Sequence, residues 1–177
     1  MRPQPMKFEI ERKFLLRNDG WRDEAISVER LRDGLVGTFD GGKIRIRLAE
    51  SQASLAIKSP ASGLARREFE YRIPRSDAEF LLAAMSGDLI VEKLRYRVFH
   101  VGFEWSVDIY EKQLAGIALA EIELDRADRE FPLPPWAGRE VTDDPRFHKR
   151  NMMMLARAST APLTIERLLG VSVPENV

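Results

Sequence analysis

The sequence has no cysteine, no long apolar run and no net charge, and each absence removes a class of function. Without cysteine there is no disulfide framework, no thiolate nucleophile and no zinc site built on cysteine. Lys+Arg and Asp+Glu number 28 each, so no overall positive field favours nucleic acid or membranes. No stretch reaches the roughly 18 apolar residues of a membrane span, and residues 1–6 lack an apolar signal region. We therefore expect a soluble, cytoplasmic protein.

The 177 residues are expected to form one domain, residues 1–177, because length and a 44% hydrophobic content suit a single core. Several short strand-like segments with two or three helices predict an α+β protein built on an antiparallel barrel. Ser76 is predicted to open a helix, with Glu79 completing a capping box, and this helix is expected to pack on the apolar outer face of the sheet. Two further helices are predicted at 144–154 and 163–169.

Residues 8–15, F-E-I-E-R-K-F-L, show the pattern that dominates the chain. Written as a β-strand, whose side chains alternate between two faces, this segment places Glu9, Glu11 and Lys13 on one face and mostly apolar residues on the other. The same alternation returns in at least five later segments. Their charged positions are Arg45 and Arg47, Lys58, Glu68 and Glu70, Lys93 and Arg95, Asp108, and Glu121 and Glu123.

Alternation alone is normal for a sheet with one wet face, but the composition of these charged faces favours the interior of a barrel. The alternating positions are nearly all Glu, Asp, Lys or Arg, where a solvent face would also carry Ser, Thr, Gln and Asn. Like charges occur two residues apart, as at Glu9 and Glu11, and such pairs gain nothing on a surface. Since helices with apolar stripes would cover the apolar strand faces, the charged faces are expected to point inward.

Charges inside a barrel cost several kcal/mol each unless they are paired, so the pattern also predicts ligands. Several carboxylates with water suit a hard divalent cation such as Mg²⁺ or Mn²⁺. Clustered Arg and Lys side chains suit phosphate oxygens. A ligand that needs both is a metal-chelated polyphosphate.

The run E-x-E-x-K at Glu9, Glu11 and Lys13 resembles the signature of the CYTH domain, or triphosphate tunnel metalloenzyme, family. The likeness continues in order through I-R-I-R, L-A-I-K, R-E-F-E-Y, E-K-L-R-Y, S-V-D, A-E-I-E-L and G-R-E-V-T-D-D, so it covers nearly the whole chain. It implies an α+β fold with a closed eight-stranded antiparallel β-barrel, a charged interior and helices packed outside. It also implies hydrolysis or rearrangement of a triphosphate with a divalent metal, and the compact bacterial type, which favours inorganic triphosphate, is the most similar.

The resemblance and the chemistry together suggest a role for each charged residue. The residues expected to bind triphosphate oxygens are Lys13, Arg45, Arg47, Lys58, Lys93 and Arg95. The expected metal ligands are Glu9, Glu11, Asp108, Glu121 and Glu123, of which Glu9, Glu11 and Glu123 would share one ion. Glu68 and Glu70 are catalytic candidates that orient the attacking water or join a second metal site. Lys13, whose pKa neighbouring cations are expected to lower, would deprotonate the water or join the phosphate grip.

Three other functions stay open. A class IV-type adenylate cyclase or a thiamine triphosphatase would use the same grip, and two departures from the family bear on substrate choice: Leu35-Val36 after Gly34, and a 111–116 loop without Asn-Gly character. A non-catalytic polyphosphate- or nucleotide-binding module is the alternative of another class. Lys43 follows a predicted hairpin turn, but the frame of a phosphate-binding loop is missing around it. The expected partner is a small-molecule triphosphate, without nucleic acid or membrane, and a homodimer is left open.

Overall fold

The computed structural model describes residues 8–60, 65–87 and 89–171, and these contain nine strands and three α-helices. Every strand pairing in the sheet is antiparallel. No helix in these ranges is long and apolar enough to cross a membrane. The elements are β1 (Phe8–Leu16), β2 (Ala25–Phe39), β3 (Gly42–Ala49), β4 (Ala53–Lys58), β5 (Ala65–Arg72), α1 (Arg75–Met85), β6 (Ile90–His100), β7 (Phe103–Tyr110), β8 (Ala118–Leu124), β9 (Ala137–Glu140), α2 (Lys149–Ala158) and α3 (Ile165–Gly170).

The strand β1 closes the barrel because it pairs with a different strand on each side. Around the barrel the order is β1-β5-β4-β3-β2-β6-β7-β8 and back to β1. On one side Glu9 lies opposite Arg66 of β5, and on the other Glu11 lies opposite Glu123 of β8. The predicted eight-stranded antiparallel barrel is therefore confirmed. The ninth strand, β9, was not predicted; it pairs with the end of β1 beyond the reach of β5.

Part of the outer barrel wall is covered by α1. Its buried residues Ala78 and Leu82 pack on Ile46 and Leu48 of β3, which alternate with the charged residues of that strand. The predicted packing of this helix on the outer face is thus confirmed. The predicted capping box is wrong: α1 begins at Arg75 after Pro74, no side chain caps it, and Glu79 instead accepts a hydrogen bond from Arg75 at 3.0 Å.

Another part of the outer wall is covered by irregular chain rather than by a helix. Phe14 of β1 and Trp105 of β7 pack edge to face at 5.5 Å, and Trp105 makes the same kind of contact with Trp136. Trp21, from the turn after β1, is fully buried in the same cluster. Large aromatic rings thus shield this wall without a regular layer of structure.

The C-terminal helices α2 and α3 cover an apolar end of the inner face. Val91 and Leu119 each lie two residues before a charged inward residue, so both point inward. They share one cluster with Met152 and Met153 of α2 and Leu168 of α3. The inner surface is therefore charged along most of its length and apolar where these helices meet it.

Close packing of α1 against β2 predicts a strong asymmetry between two glycines of that strand. A Cβ atom at Gly34 would lie 2.3 Å from Ser86 Oγ and 2.4 Å from Leu82 Cδ2, whereas one at Gly37 would meet only Ile44 Cδ1 at 3.8 Å. We expect Gly34→Ala to lower the free energy of unfolding by about 2 kcal/mol through overpacking. Gly37→Ala, the matched control, should change it little. Urea unfolding of both variants measures the difference, and equal stabilities would contradict the packing described.

Candidate active site

The structure brings every charged residue predicted for the site onto the inner face of the barrel, where acids and bases form an interlocking network. Alternation along each strand puts them there, and strand pairing puts them next to one another. Lys58, Lys93, Asp108 and Glu121 are nearly inaccessible to solvent. The interior therefore holds both signs of charge withdrawn from bulk water.

Three carboxylates gather where β1 meets β8. Single carboxylate oxygens of Glu9, Glu11 and Glu123 lie within 4.8 Å of one another. Glu11 and Glu123 face each other directly across the two strands. Burial and the charges of Glu11 and Glu9 raise the pKa of Glu123 above its ordinary value. Such an arrangement favours either a proton or a bound cation among the three groups.

Glu9 also links the carboxylate group to the cations of β4 and β5. Its Oε1 accepts a hydrogen bond from Lys58 Nζ at 2.6 Å, and its Oε2 accepts one from Arg66 Nε at 2.5 Å. Burial would raise the pKa of Glu9, but these two cations lower it to about 2. Glu9 is therefore ionised at neutral pH.

Glu68 and Glu70 differ in their surroundings although both lie on β5. Glu68 is ion-paired with Lys58 at 3.0 Å and with Arg45 at 3.4 Å. Glu70 accepts a hydrogen bond from Ser54 Oγ at 2.6 Å, reaches Arg45 only at 4.0 Å and is half exposed. Glu70 is thus the less neutralised of the two carboxylates.

A second network joins β6, β7 and β8. Asp108 is ion-paired with both Lys93 and Arg95, and Arg95 also donates to Glu121 at 2.5 Å. Burial and the charge of Arg95 lower the pKa of Lys93 to about 7 in spite of Asp108. Asp108 has two cationic partners and stays ionised. Asp108 and Glu121 were predicted as metal ligands, and the structure places them with these cations, outside the group of three carboxylates.

The predicted fall in the pKa of Lys13 is wrong. Burial alone would lower this pKa, but the carboxylates of Glu11 and Glu121 raise it above its ordinary value. Lys13 Nζ lies 2.8 Å from Glu11 and 3.9 Å from Glu121. The register of β1 against β8 puts Lys13 opposite Glu121, which the sequence alone did not reveal.

Four further charged residues of the interior were missed. Lys43 and Arg66 lie two residues before Arg45 and Glu68, so strand alternation could have identified both. Asp33 lies on β2, whose register is shifted at two places and could not be assigned from sequence. Lys149, at the start of α2, reaches Glu121 at 3.9 Å, and no local pattern predicts that contact.

This chain is similar in sequence and in structure to known inorganic triphosphatases. The family model for the CYTH domain matches residues 7–151. An inorganic triphosphatase of Acetivibrio thermocellus is 37% identical over 146 residues, which cover 82% of this chain and 92% of that protein. An inorganic triphosphatase of Nitrosomonas europaea is 33% identical over 150 residues, covering 82% and 97%. A crystallised inorganic triphosphatase superposes with a TM-score of 0.60 at 30% identity, over 82% of this chain and 97% of that one.

The buried pair of Asp33 and Arg47 gives a test of how the interior charges are held. Two parallel hydrogen bonds of 2.7 and 2.8 Å join them. Burial would raise the pKa of Asp33, but Arg47 holds it well below its usual range. We expect Asp33→Asn to lower the free energy of unfolding by about 2 to 3 kcal/mol at pH 7, because it leaves the largely buried Arg47 guanidinium without its carboxylate partner.

The pH dependence has a definite sign, since a lowered carboxylate pKa stabilises the folded protein above the unfolded-state pKa. The difference between the unsubstituted protein and Asp33→Asn should therefore hold at neutral pH and shrink as the pH falls below about 4. Asp128→Asn, at an exposed side chain, is the control. Urea titrations from pH 7 down to pH 3 measure the effect, and a difference independent of pH would contradict it.

Proposed function

Because this chain belongs to the CYTH domain family, we propose that it is a divalent-metal-dependent hydrolase that splits inorganic triphosphate into diphosphate and phosphate. It does so as one CYTH-like domain, inside the barrel. The proposal rests on one observation: a group of carboxylates and a group of cations lie next to each other on the inner surface of the barrel. Glu9 belongs to the three-carboxylate group and also contacts Lys58 and Arg66, so a metal site and a phosphate site share an edge. Relatives named inorganic triphosphatase support the choice of substrate.

The cations of the interior bind the substrate and stabilise charge on its oxygens during the reaction. Lys13 belongs to this set because its raised pKa keeps it protonated at neutral pH. Arg45 and Arg95 offer planar guanidinium groups that can each donate two hydrogen bonds to a phosphoryl group. The full set is Lys13, Arg45, Arg47, Lys58, Lys93 and Arg95.

The group of three carboxylates suits Mg²⁺ or Mn²⁺. Its donors are all oxygens, which hard divalent cations prefer. Burial, followed by the negative charges of Glu11 and Glu9, raises the pKa of Glu123, so a cation bound among the three carboxylates would relieve their repulsion. When bound by Glu9, Glu11 and Glu123, the ion would neutralise charge on the phosphate oxygens that it contacts. Asp108 and Glu121 hold Lys93 and Arg95 in place and remain candidates for a second ion.

Glu70 orients the attacking water, with Glu68 beside it. The reaction forms a bond between the water oxygen and phosphorus and breaks one phosphoanhydride bond, with diphosphate as the leaving group. Glu70 suits the task because it is half exposed, accepts a hydrogen bond from Ser54 and lies 4.0 Å from its nearest described cation, Arg45. Glu68 keeps Arg45 and Lys58 in position.

A substrate panel tests the proposed activity first. We expect phosphate release from inorganic triphosphate with Mg²⁺ or Mn²⁺, none with chelator, and much slower release from ATP or thiamine triphosphate. Phosphate and cyclic AMP are followed together. Cyclic AMP from ATP would move the protein to the adenylate cyclases, and thiamine triphosphate as the best substrate would make it a thiamine triphosphatase. Triphosphate binding without any turnover would favour the non-catalytic module.

Substitution of the paired glutamates tests the metal site. We expect Glu11→Gln and Glu123→Gln each to lower turnover of triphosphate by about 100-fold, because each removes a charged metal ligand. Both variants should also need more Mg²⁺ for half-maximal rate. Glu79→Gln on α1, outside the barrel, is the matched control. Metal-dependent turnover that survives in both variants would overturn the assignment.

A further inference from the structure

Among the described residues, Lys43 differs from the other lysines of the barrel interior in having no acidic partner. It lies directly opposite Lys58 on the neighbouring strand, two residues before Arg45, so its side chain belongs to the inner face. Across residues 8–60, 65–87 and 89–171, Lys43 makes no ion pair with a carboxylate within 4.0 Å. Lys13, Lys58 and Lys93 all have such partners, at 3.0 Å or less. Lys43 is thus the uncompensated lysine of this surface.

The surroundings of Lys43 add positive charge rather than remove it. Burial, followed by the charges of Arg66, Lys149, Lys58 and Lys13, lowers its pKa to about 7. Two of these neighbours already have carboxylate partners: Arg66 pairs with Glu9, and Lys58 pairs with Glu9 and Glu68.

The excess of positive charge extends to the start of α2. Lys149 lies 3.9 Å from Glu121, which also forms ion pairs with Arg95 and Lys13. His148 directly precedes Lys149, and partial burial with the charges of Lys13 and Lys43 lowers its pKa. More cations than carboxylates therefore converge where β3 begins, β4 ends and α2 starts.

We propose that Lys43, Lys149 and Arg66 form a phosphoryl subsite, at the end of the interior where β3 begins, for one terminal phosphoryl group of the bound triphosphate. The inference rests on the proposed function and adds to it a position for the substrate. A terminal phosphoryl group carries close to two negative charges at neutral pH, so it compensates an excess of cations better than an internal one. Lys43, Lys149 and Arg66 thereby join the binding residues, beyond the six cations assigned above.

Titration calorimetry with inorganic triphosphate in the presence of chelator tests the subsite without turnover. We expect Lys43→Met to bind triphosphate about tenfold more weakly, the loss of one charge-assisted hydrogen bond. Lys43→Arg keeps the charge and should bind within about twofold of the unsubstituted protein. Lys112→Met, at an exposed lysine outside the barrel interior, should not change the affinity.

Proton uptake on binding gives a second readout that a purely structural role would not affect. At pH 7 the unsubstituted protein should take up about half a proton more than Lys43→Arg, because arginine is already charged before binding. Comparing two buffers of different ionisation enthalpy measures the uptake. The groups that face Lys43 are Lys13 of β1, Lys58 of β4, Arg66 of β5, and His148 and Lys149 at the start of α2, and all are kept in this comparison.

The outcomes separate the subsite from the proposed activity. Lys43→Met should unfold at no lower temperature than the unsubstituted protein, since it removes an uncompensated buried charge, so weaker binding would not reflect misfolding. Unchanged affinity in Lys43→Met, or no triphosphate binding by the unsubstituted protein, overturns the subsite even if Mg²⁺-dependent hydrolysis is observed. Binding that depends on Lys43 in a protein that hydrolyses no triphosphate would instead sustain the subsite and overturn the proposed function.

Discussion

Several charged side chains on the inner wall of the barrel, among them Lys58, Lys93 and Asp108, are withdrawn from bulk water and need a charge of opposite sign nearby. In the free protein the wall meets much of this need internally. Glu9 holds Lys58 and Arg66, Asp33 holds Arg47, and Asp108 holds Lys93 and Arg95. The arrangement of acids and bases around the barrel is therefore both a condition for folding and the basis of ligand binding.

The interior charges are unevenly neutralised. The places with an excess of one sign of charge are those proposed for ligands. Carboxylates crowd together where β1 meets β8, and the pKa of Glu123 rises there. Cations crowd together near the start of β3, and the pKa of Lys43 falls. A metal ion would relieve the first site and a phosphoryl group the second. Since Glu9 belongs to one proposed site and contacts cations of the other, binding at either site would change the electrostatic cost of binding at its neighbour.

The apolar residues have a separate task, which is to close the wall around this charged interior. Ala78 and Leu82 of α1 seal one outer face, and aromatic side chains such as Trp105 and Trp136 seal another. Met152 and Met153 of α2 meet an apolar part of the inner face. Because that contact positions α2, it also brings Lys149 to the charged interior.

The sequence by itself determined the antiparallel barrel, the inward direction of the charges and the grouping of Glu9 and Glu11 with Lys13, because alternation along a strand is a local property. Closure through β1, the pairing of Asp33 with Arg47 and the arrival of Lys149 depend on residues far apart in the chain, so only the tertiary structure decided them. The protonation state of Lys13 was likewise decided only by the tertiary structure. Strand register places Glu121 opposite Lys13, and a pKa depends on which charges are near in space, not on which are near in sequence.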